Sequence, residues 1–368
     1  MNILWLVLIL MVLVLVHEAG HMVVAKWCGM RVERFSIFFG RPLASFTRGE
    51  TEYAIGWLPL GGYVKISGMT VGEDVPSEVA HRAYFAAPMW KKIATIAAGP
   101  AVNILLAIII FAVVFWIGVS PISATTKVGS VQQGSAAQAA GLQAGDRIVA
   151  IDGVRVNDHV PNVRGALQSG RPGQTVRLTV ERDGTTLQKA ARLQVLKDAD
   201  GTPATNPQTG RPLTGLGFNF ALVSEPVVRS GPLQGVADGW DFAWYIMKTN
   251  VQVIGDAFTS SEARSQINSV VGVGAVFNEV ADDGLTTVLR FVGVISLALG
   301  IFNLIPILPL DGGHILFAVL EKLKGSAFSA VTYGRASFVG LALVMLVFVI
   351  ALQNDIGRIT GEGFQINR

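Results

Sequence analysis

The sequence predicts a polytopic α-helical membrane protein with four transmembrane helices, membrane-associated β-hairpins after the first helix, and a β-rich domain inserted between the second and third. Residues are 51% hydrophobic and only 15% charged, and the mean hydropathy of +0.49 lies well above that of an ordinary soluble domain. Four apolar runs reach membrane-spanning length, at about 3–27, 93–119, 286–310 and 336–352. Between the second and third, residues 122–223 turn polar and glycine-punctuated, which leaves room for one extramembrane domain of ordinary size. The net charge of +3 is spread along the chain with no basic stripe interleaved with aromatics, so nucleic acid is not expected as a partner. Cys28 is the single cysteine, which excludes an intrachain disulfide.

The first run holds the stretch VLVHEAGHMVVAK, Val14 to Lys26. On a helix His17 and His21 fall on one face, four residues apart, where they can share a metal ion with Glu18 beside it. With 5 His and the chain's glutamates, such an H-E-x-x-H match is expected by chance only about 0.002 times. Ionisable groups inside an apolar span cost roughly 2.5 kcal/mol or more each, and a bound Zn²⁺ is a natural compensation. A helix-packing cluster is the plainer alternative. No basic segment precedes the run, so it reads as a retained span and not a cleaved signal. Lys26, Arg31 and Arg34 follow it, which orients its C-terminal end toward the cytoplasm and the N-terminus outside.

Residues 26–92 carry nine Lys/Arg against six Asp/Glu and are expected on the cytoplasmic side. Three aromatic and β-branched stretches separated by glycine, beginning at Phe35, Glu52 and Gly61, suggest hairpins. They are apolar enough to dip into the bilayer against the helices, where an exposed strand edge could bind an unwound chain. A packed cytoplasmic cap fits equally well. The second run opens after Lys91 and Lys92 and contains Gly99-Pro-Ala-Val-Asn103. The proline should loosen one turn. Asn103 is expected to seek a helix–helix hydrogen bond, with a substrate contact as the second reading.

Within 122–223, Gly141 to Gly153 reads as a helix end, a strand and an Asp-Gly turn, and Val176–Arg182 pairs with Thr186–Val195 through Asp183-Gly184. Asp198 to Pro212 is a polar loop, and His159 has no obvious partner. Residues 224–285 form an amphipathic interfacial linker, with Trp240, Phe242, Trp244 and Tyr245 as a membrane-surface aromatic group. The third run ends in Asn303-Leu-Ile-Pro-Ile-Leu-Pro-Leu-Asp311-Gly-Gly-His314, where prolines and glycines must break a helix at membrane depth. Lys322, Lys324 and Arg335 place this end on the cytoplasmic side, the same side as His17 and His21. A catalytic zinc site takes three protein ligands and keeps one open position. Asp311 is the preferred third ligand and His314 the competitor. The domain reading is therefore 1–121 and 286–368 for the two halves of the membrane core, around 122–223 and the 224–285 linker.

HEAGH at 17–21, GPAVN at 99–103 and NLIPILPLDGG at 303–313 resemble the site-2 protease family, intramembrane zinc metalloproteases of the bacterial regulated-proteolysis type and M50-like. SAAQAAGLQAGDRIVAIDG, from Ser135 to Gly153, resembles a PDZ domain. The resemblance covers nearly the whole chain and implies a Zn²⁺ cofactor held by His17, His21 and Asp311, with Glu18 as catalytic base. It also implies Asn303 near the substrate, and Gly61, Gly62, Tyr63 and Val64 in a membrane-reentrant hairpin that receives an extended substrate. The second proline of the last motif, Pro309, departs from the usual pattern, while the Asn303–Asp311 spacing is kept. Implied partners are single-span membrane proteins such as anti-sigma factors, and remnant signal peptides. The implied place is the bacterial inner membrane, with both termini and the PDZ domain extracytoplasmic and the active site near the cytoplasmic side. Two rivals are weaker. A PDZ adaptor with structural zinc would have no use for Glu18, and a metal transporter would carry ionisable residues in its second and fourth spans, where there are none.

Overall fold

The computed structural model describes residues 2–59, 61–70, 72–157, 160–196, 203–205, 211–256, 270–281 and 284–360. The chain forms two compact units, Met1–Gly118 with Arg229–Arg368, and Val119–Val228. The first unit opens with α1 (Asn2–Trp27), apolar along its length, with Lys26 in its last turn. Four strands follow: β1 (Val32–Ser36), β2 (Phe39–Arg48), β3 (Thr51–Leu58) and β4 (Tyr63–Ile66). They form one sheet in the order β2-β3-β1-β4. Only β2 and β3 make a hairpin, closed through Gly49 in the left-handed region. β1 runs parallel to β3, with Phe35 opposite Tyr53, and antiparallel to β4, with Phe35 opposite Val64. The expectation of successive hairpins is thus corrected: β2, rich in Arg, Pro and Ser, intervenes, and pairing skips along the chain. The sheet leaves β4 as one edge strand. α2 (Met89–Ile117) runs unbroken through Pro100. It packs on α1 at Gly20, where a Cβ would stand 2.7 Å from the carbonyl oxygen of Ala98. Lipid tails are as apolar as side chains, so such small-residue contacts carry helix association here.

The second unit is β-rich. β5 (Ile122–Val131), α3 (Ala136–Ala139), β6 (Arg147–Ile151), β7 (Val154–Arg155) and α4 (Val160–Gln168) lead into β8 (Thr175–Arg182) and β9 (Thr185–Arg192). Then come β10 (Gln194–Val195), β11 (Thr214–Gly215) and β12 (Phe218–Ser224). The main sheet runs β12-β5-β6-β8-β9, with β7 on β6. Asp183 and Gly184 both take positive φ (50° and 77°) between β8 and β9, the conformation an Asp-Gly hairpin turn demands. Val128, Ile148, Val163, Leu178 and Leu193 are among its buried core. Asp146 accepts from Arg182 Nε (2.6 Å) and Nη2 (2.8 Å), and that guanidinium holds its carboxyl below the usual carboxylate range. His159 and most of the 198–212 loop lie outside the described residues.

The first unit resumes with α5 (Pro232–Asp256), α6 (Val270–Ala281), α7 (Leu285–Asn303), α8 (Asp311–Lys324) and α9 (Ala330–Thr360). The described residues of the 224–285 linker are thus largely helical. Its aromatic group divides: Trp240, Trp244 and Tyr245 are each more than half exposed, whereas Phe242 packs edge-on against Phe111 of α2 at 4.9 Å. Among the described residues, α1, α2, α7 and α9 are the four helices long and apolar enough to cross a membrane. Two boundaries differ from those expected. α7 stops at Asn303 and not near 310, and α9 extends past both ends of 336–352. Leu304 to Leu310 is non-helical, and α8 begins at Asp311 itself.

Candidate metal centre

His17 and His21 lie on one face of α1, 6% and 7% exposed. Asp311 reaches them from the first turn of α8. Its position depends on two glycines: a Cβ on Gly312 would stand 2.2 Å from Leu304 O, and one on Gly313 would stand 2.3 Å from Leu308 N. Only Gly-Gly lets the start of α8 fold back on the non-helical stretch, and this fixes the carboxylate. Asp311 Oδ2 is 3.0 Å from His17 Nε2 and 3.4 Å from His21 Nε2, and the two Nε2 atoms are 3.2 Å apart. All three donor atoms fall within 4.8 Å of one another.

These groups fit a metal ion on their own chemistry. His21 Nδ1 donates to Thr95 O at 2.9 Å, so in the neutral ring Nε2 presents a lone pair to the cluster. Asp311 Oδ2 is buried and makes no hydrogen bond. Lone pairs aimed at a common point repel unless a cation lies between them. Opposite them α2 leaves a gap: a Cβ on Gly99 would stand 2.4 Å from His21 Nε2 and 2.8 Å from His17 Nε2. Two imidazoles and one carboxylate make a three-ligand set with room for a fourth, the set catalytic zinc takes.

Glu18 is half-buried beside the pair. Val64 of β4 lies within hydrogen-bonding reach of its carboxylate, and a Cβ on Gly62 would stand 3.5 Å from its Cγ. The edge of the sheet therefore runs next to Glu18. Tyr63 is stacked on Phe39 at 5.4 Å and its hydroxyl accepts from Arg34 Nη1 at 3.2 Å. Gly61 takes φ +120°.

Three expected residues lie elsewhere than a simple reading suggests. His314, the competing ligand, is turned to Tyr333, whose hydroxyl is 2.6 Å from its Nδ1. Asn303 donates from Nδ2 to Leu299 O, back onto its own helix. Asn103 is fully buried on α2 with its amide 3.4 Å from His17 Nδ1 of α1. Thr95 was missed because a main-chain acceptor leaves no mark in side-chain identity. Its spacing to Gly99 and Asn103, four and eight residues, was available.

The profile of Peptidase family M50 matches residues 5–347. A protein of Agrobacterium fabrum named as a zinc metalloprotease, Atu1380, is 34% identical over 96% of this chain and 95% of its own. The regulator of sigma-E protease RseP of Escherichia coli is 30% identical over 95% of this chain and 96% of its own. The crystal structure of the PDZ domain of an SdrC-like protein (Lmo2051) from Listeria monocytogenes covers 28% of this chain and 94% of its own at 23% identity and a TM-score of 0.21; at that score the likeness carries no argument. The match over nearly the entire length settles the affiliation: the chain belongs to Peptidase family M50 and is a zinc metalloprotease.

Proposed function

We propose that this protease cuts peptide bonds within or next to the transmembrane segments of single-span proteins in a bacterial inner membrane, with His17, His21 and Asp311 as zinc ligands and Glu18 as the catalytic base. The observation that carries the reading is the convergence of three buried donor atoms from α1 and α8, with Glu18 one residue from a ligand. When bound, zinc supplies Lewis acidity, making a water nucleophilic near neutral pH and polarising a carbonyl oxygen. Glu18 accepts the proton of the attacking water and returns it to the leaving amine. Glu18, His17 and His21 sit on the apolar α1, so the scissile carbonyl is presented at lipid depth, where a helical substrate hides its carbonyls in i to i−4 hydrogen bonds and must unwind. The free edge of β4, from Tyr63 to Ile66 with Gly61 and Gly62 before it, is where the unwound strand would add, beside Glu18. Asn303, the last residue of α7, is read as a further substrate contact.

The unit Val119–Val228 is read as a PDZ-type module on the extracytoplasmic side. In support, β12 is an edge strand and a cleft of about 580 Å³ lies along it, lined by Arg164 and Leu167 of α4 and by Leu216, Phe218 and Phe220. An extended peptide can pair there. Anti-sigma factors shortened by an earlier protease are the favoured substrate class, since the relative from Escherichia coli is named a regulator of sigma-E. Remnant signal peptides are a further class.

Glu18→Gln is the decisive variant. Purified and assayed on a single-span model substrate, it should keep a full complement of zinc and lose at least about 100-fold in cleavage. Cleavage near the wild-type rate, or cleavage by protein stripped of metal with a chelator, would overturn the assignment.

A further inference from the structure

His17 has two ring nitrogens, and only one can be spent on a metal. Its Nε2 faces Asp311 Oδ2 and His21 Nε2, so the lone pair must be on Nε2 and the proton on Nδ1. That proton needs an acceptor. The group facing Nδ1 is the side-chain amide of Asn103, with Nδ2 placed toward the ring at 3.4 Å. In that orientation two donors meet once Nδ1 is protonated, and Asn103 Oδ1 is left buried with no hydrogen bond. An amide's oxygen and nitrogen are nearly isosteric, and the hydrogen-bond network decides which one faces the ring. Turning the amide over lets Oδ1 accept from His17 Nδ1 and places the Nδ2 donors where Oδ1 now stands. The companion ligand already uses this device, because His21 Nδ1 donates to Thr95 O at 2.9 Å.

We infer that Asn103 is the positioning residue for His17, its Oδ1 accepting the Nδ1 proton and thereby fixing the tautomer that offers Nε2 to zinc. Thr95, Gly99 and Asn103 are four residues apart on α2 and so form one face. The outer two hold the imidazoles from behind, and Gly99 leaves the space between. α2 supplies no ligand but sets both. Asn103 is also anchored from the far side, since its main-chain carbonyl accepts from Ser296 Oγ of α7 at 2.9 Å. The inference rests on His17 being a zinc ligand, as proposed above.

The test uses the full-length protein in detergent, with zinc affinity from chelator competition and ¹⁵N-histidine spectra of the zinc-loaded state. Asn103→Leu keeps the volume and removes the acceptor, and should weaken zinc binding by about 10–100-fold. Asn103→Asp keeps an acceptor and no donor; it should stay within a few-fold of wild type or bind more tightly. Wild-type spectra should show the His17 Nδ1 proton as a downfield, slowly exchanging signal of a buried hydrogen bond, a signature that a helix-packing role of Asn103 alone would not produce. An Asn103→Asp variant as weak as Asn103→Leu, or a zinc-loaded wild type with His17 unprotonated at Nδ1, would overturn the inference. Should Asn103→Leu fail to fold, the Asp variant and the wild-type spectrum still decide. His17→Ala is run in parallel: if it binds zinc as tightly as wild type, the ligand assignment itself fails, a result distinct from failure of the Asn103 role.

Discussion

Gly99 is a residue whose work is the space it leaves. An added methyl would collide with Nε2 of both His21 and His17, at 2.4 Å and 2.8 Å, and His21 cannot retreat without losing Thr95. Alanine is otherwise the better helix residue by about 1 kcal/mol, so Gly99→Ala should not harm the helix itself. Zinc content is expected to fall at least tenfold, and the metal-free protein should lose about 1–3 kcal/mol to overpacking against the two imidazoles. Equal zinc in the two proteins, by metal analysis after gel filtration, would refute the steric argument. At this scale the sequence is most readable where chemistry and spacing coincide. His17, Glu18 and His21 stand out as polar residues in an apolar run, and Asp311 stands out beside two glycines. Asn103 is visible as a polar residue, but its partner is not, because the pairing depends on how antiparallel α1 and α2 set His17 level with Asn103 and His21 level with Thr95.

At the scale of elements, apolar length located the spans while backbone breaks decided where they end. α7 stops at Asn303 because the chain must turn back on itself before Asp311, and that reversal needs room from a neighbour. Gly340 of α9 gives it: a Cβ there would stand 1.7 Å from Leu308 O and 2.7 Å from Ile307 Cγ2. Gly340→Val should therefore push the 304–310 stretch and Asp311 with it. The expected result is an overpacking cost of about 1–3 kcal/mol together with weaker zinc binding, although position 340 is remote in sequence from every proposed ligand. Gly334→Ala is the control, since nothing lies within 4 Å of its added Cβ; it should leave both unchanged. If Gly340→Val binds zinc like the control, the broken stretch is not what places Asp311. Other elements were harder to read. β2 carries Arg41, Pro42 and Ser45 and is exposed throughout, so no buried face patterns it. α4 does carry a pattern, with Val160, Val163 and Leu167 buried at helical spacing, but it is only nine residues long and sits among strands.

At the scale of the whole molecule, a membrane core whose two halves are separated in sequence is interrupted by a unit that begins and ends at one point. Val119 and Val228 exchange both main-chain hydrogen bonds, at 3.0 Å and 2.9 Å, so the unit's ends are a strand-pair width apart, about 5 Å. A two-glycine linker can replace residues 120–227 without pulling Gly118 and Arg229 apart. All three proposed ligands, Glu18 and β4 belong to the remaining unit, so the shortened protein should bind zinc and cut a pre-trimmed single-span substrate at close to the full-length rate. If the inserted module is a filter that admits only substrates relieved of their bulky domain, the same protein should also begin to cut the untrimmed substrate, which the full-length protein leaves intact. The comparison is made in proteoliposomes with trimmed and untrimmed forms of one substrate. A shortened protein that cuts the trimmed form yet still spares the untrimmed one would remove the filter role, and selectivity would then reside in the membrane core, at the edge of β4 where the substrate must unwind.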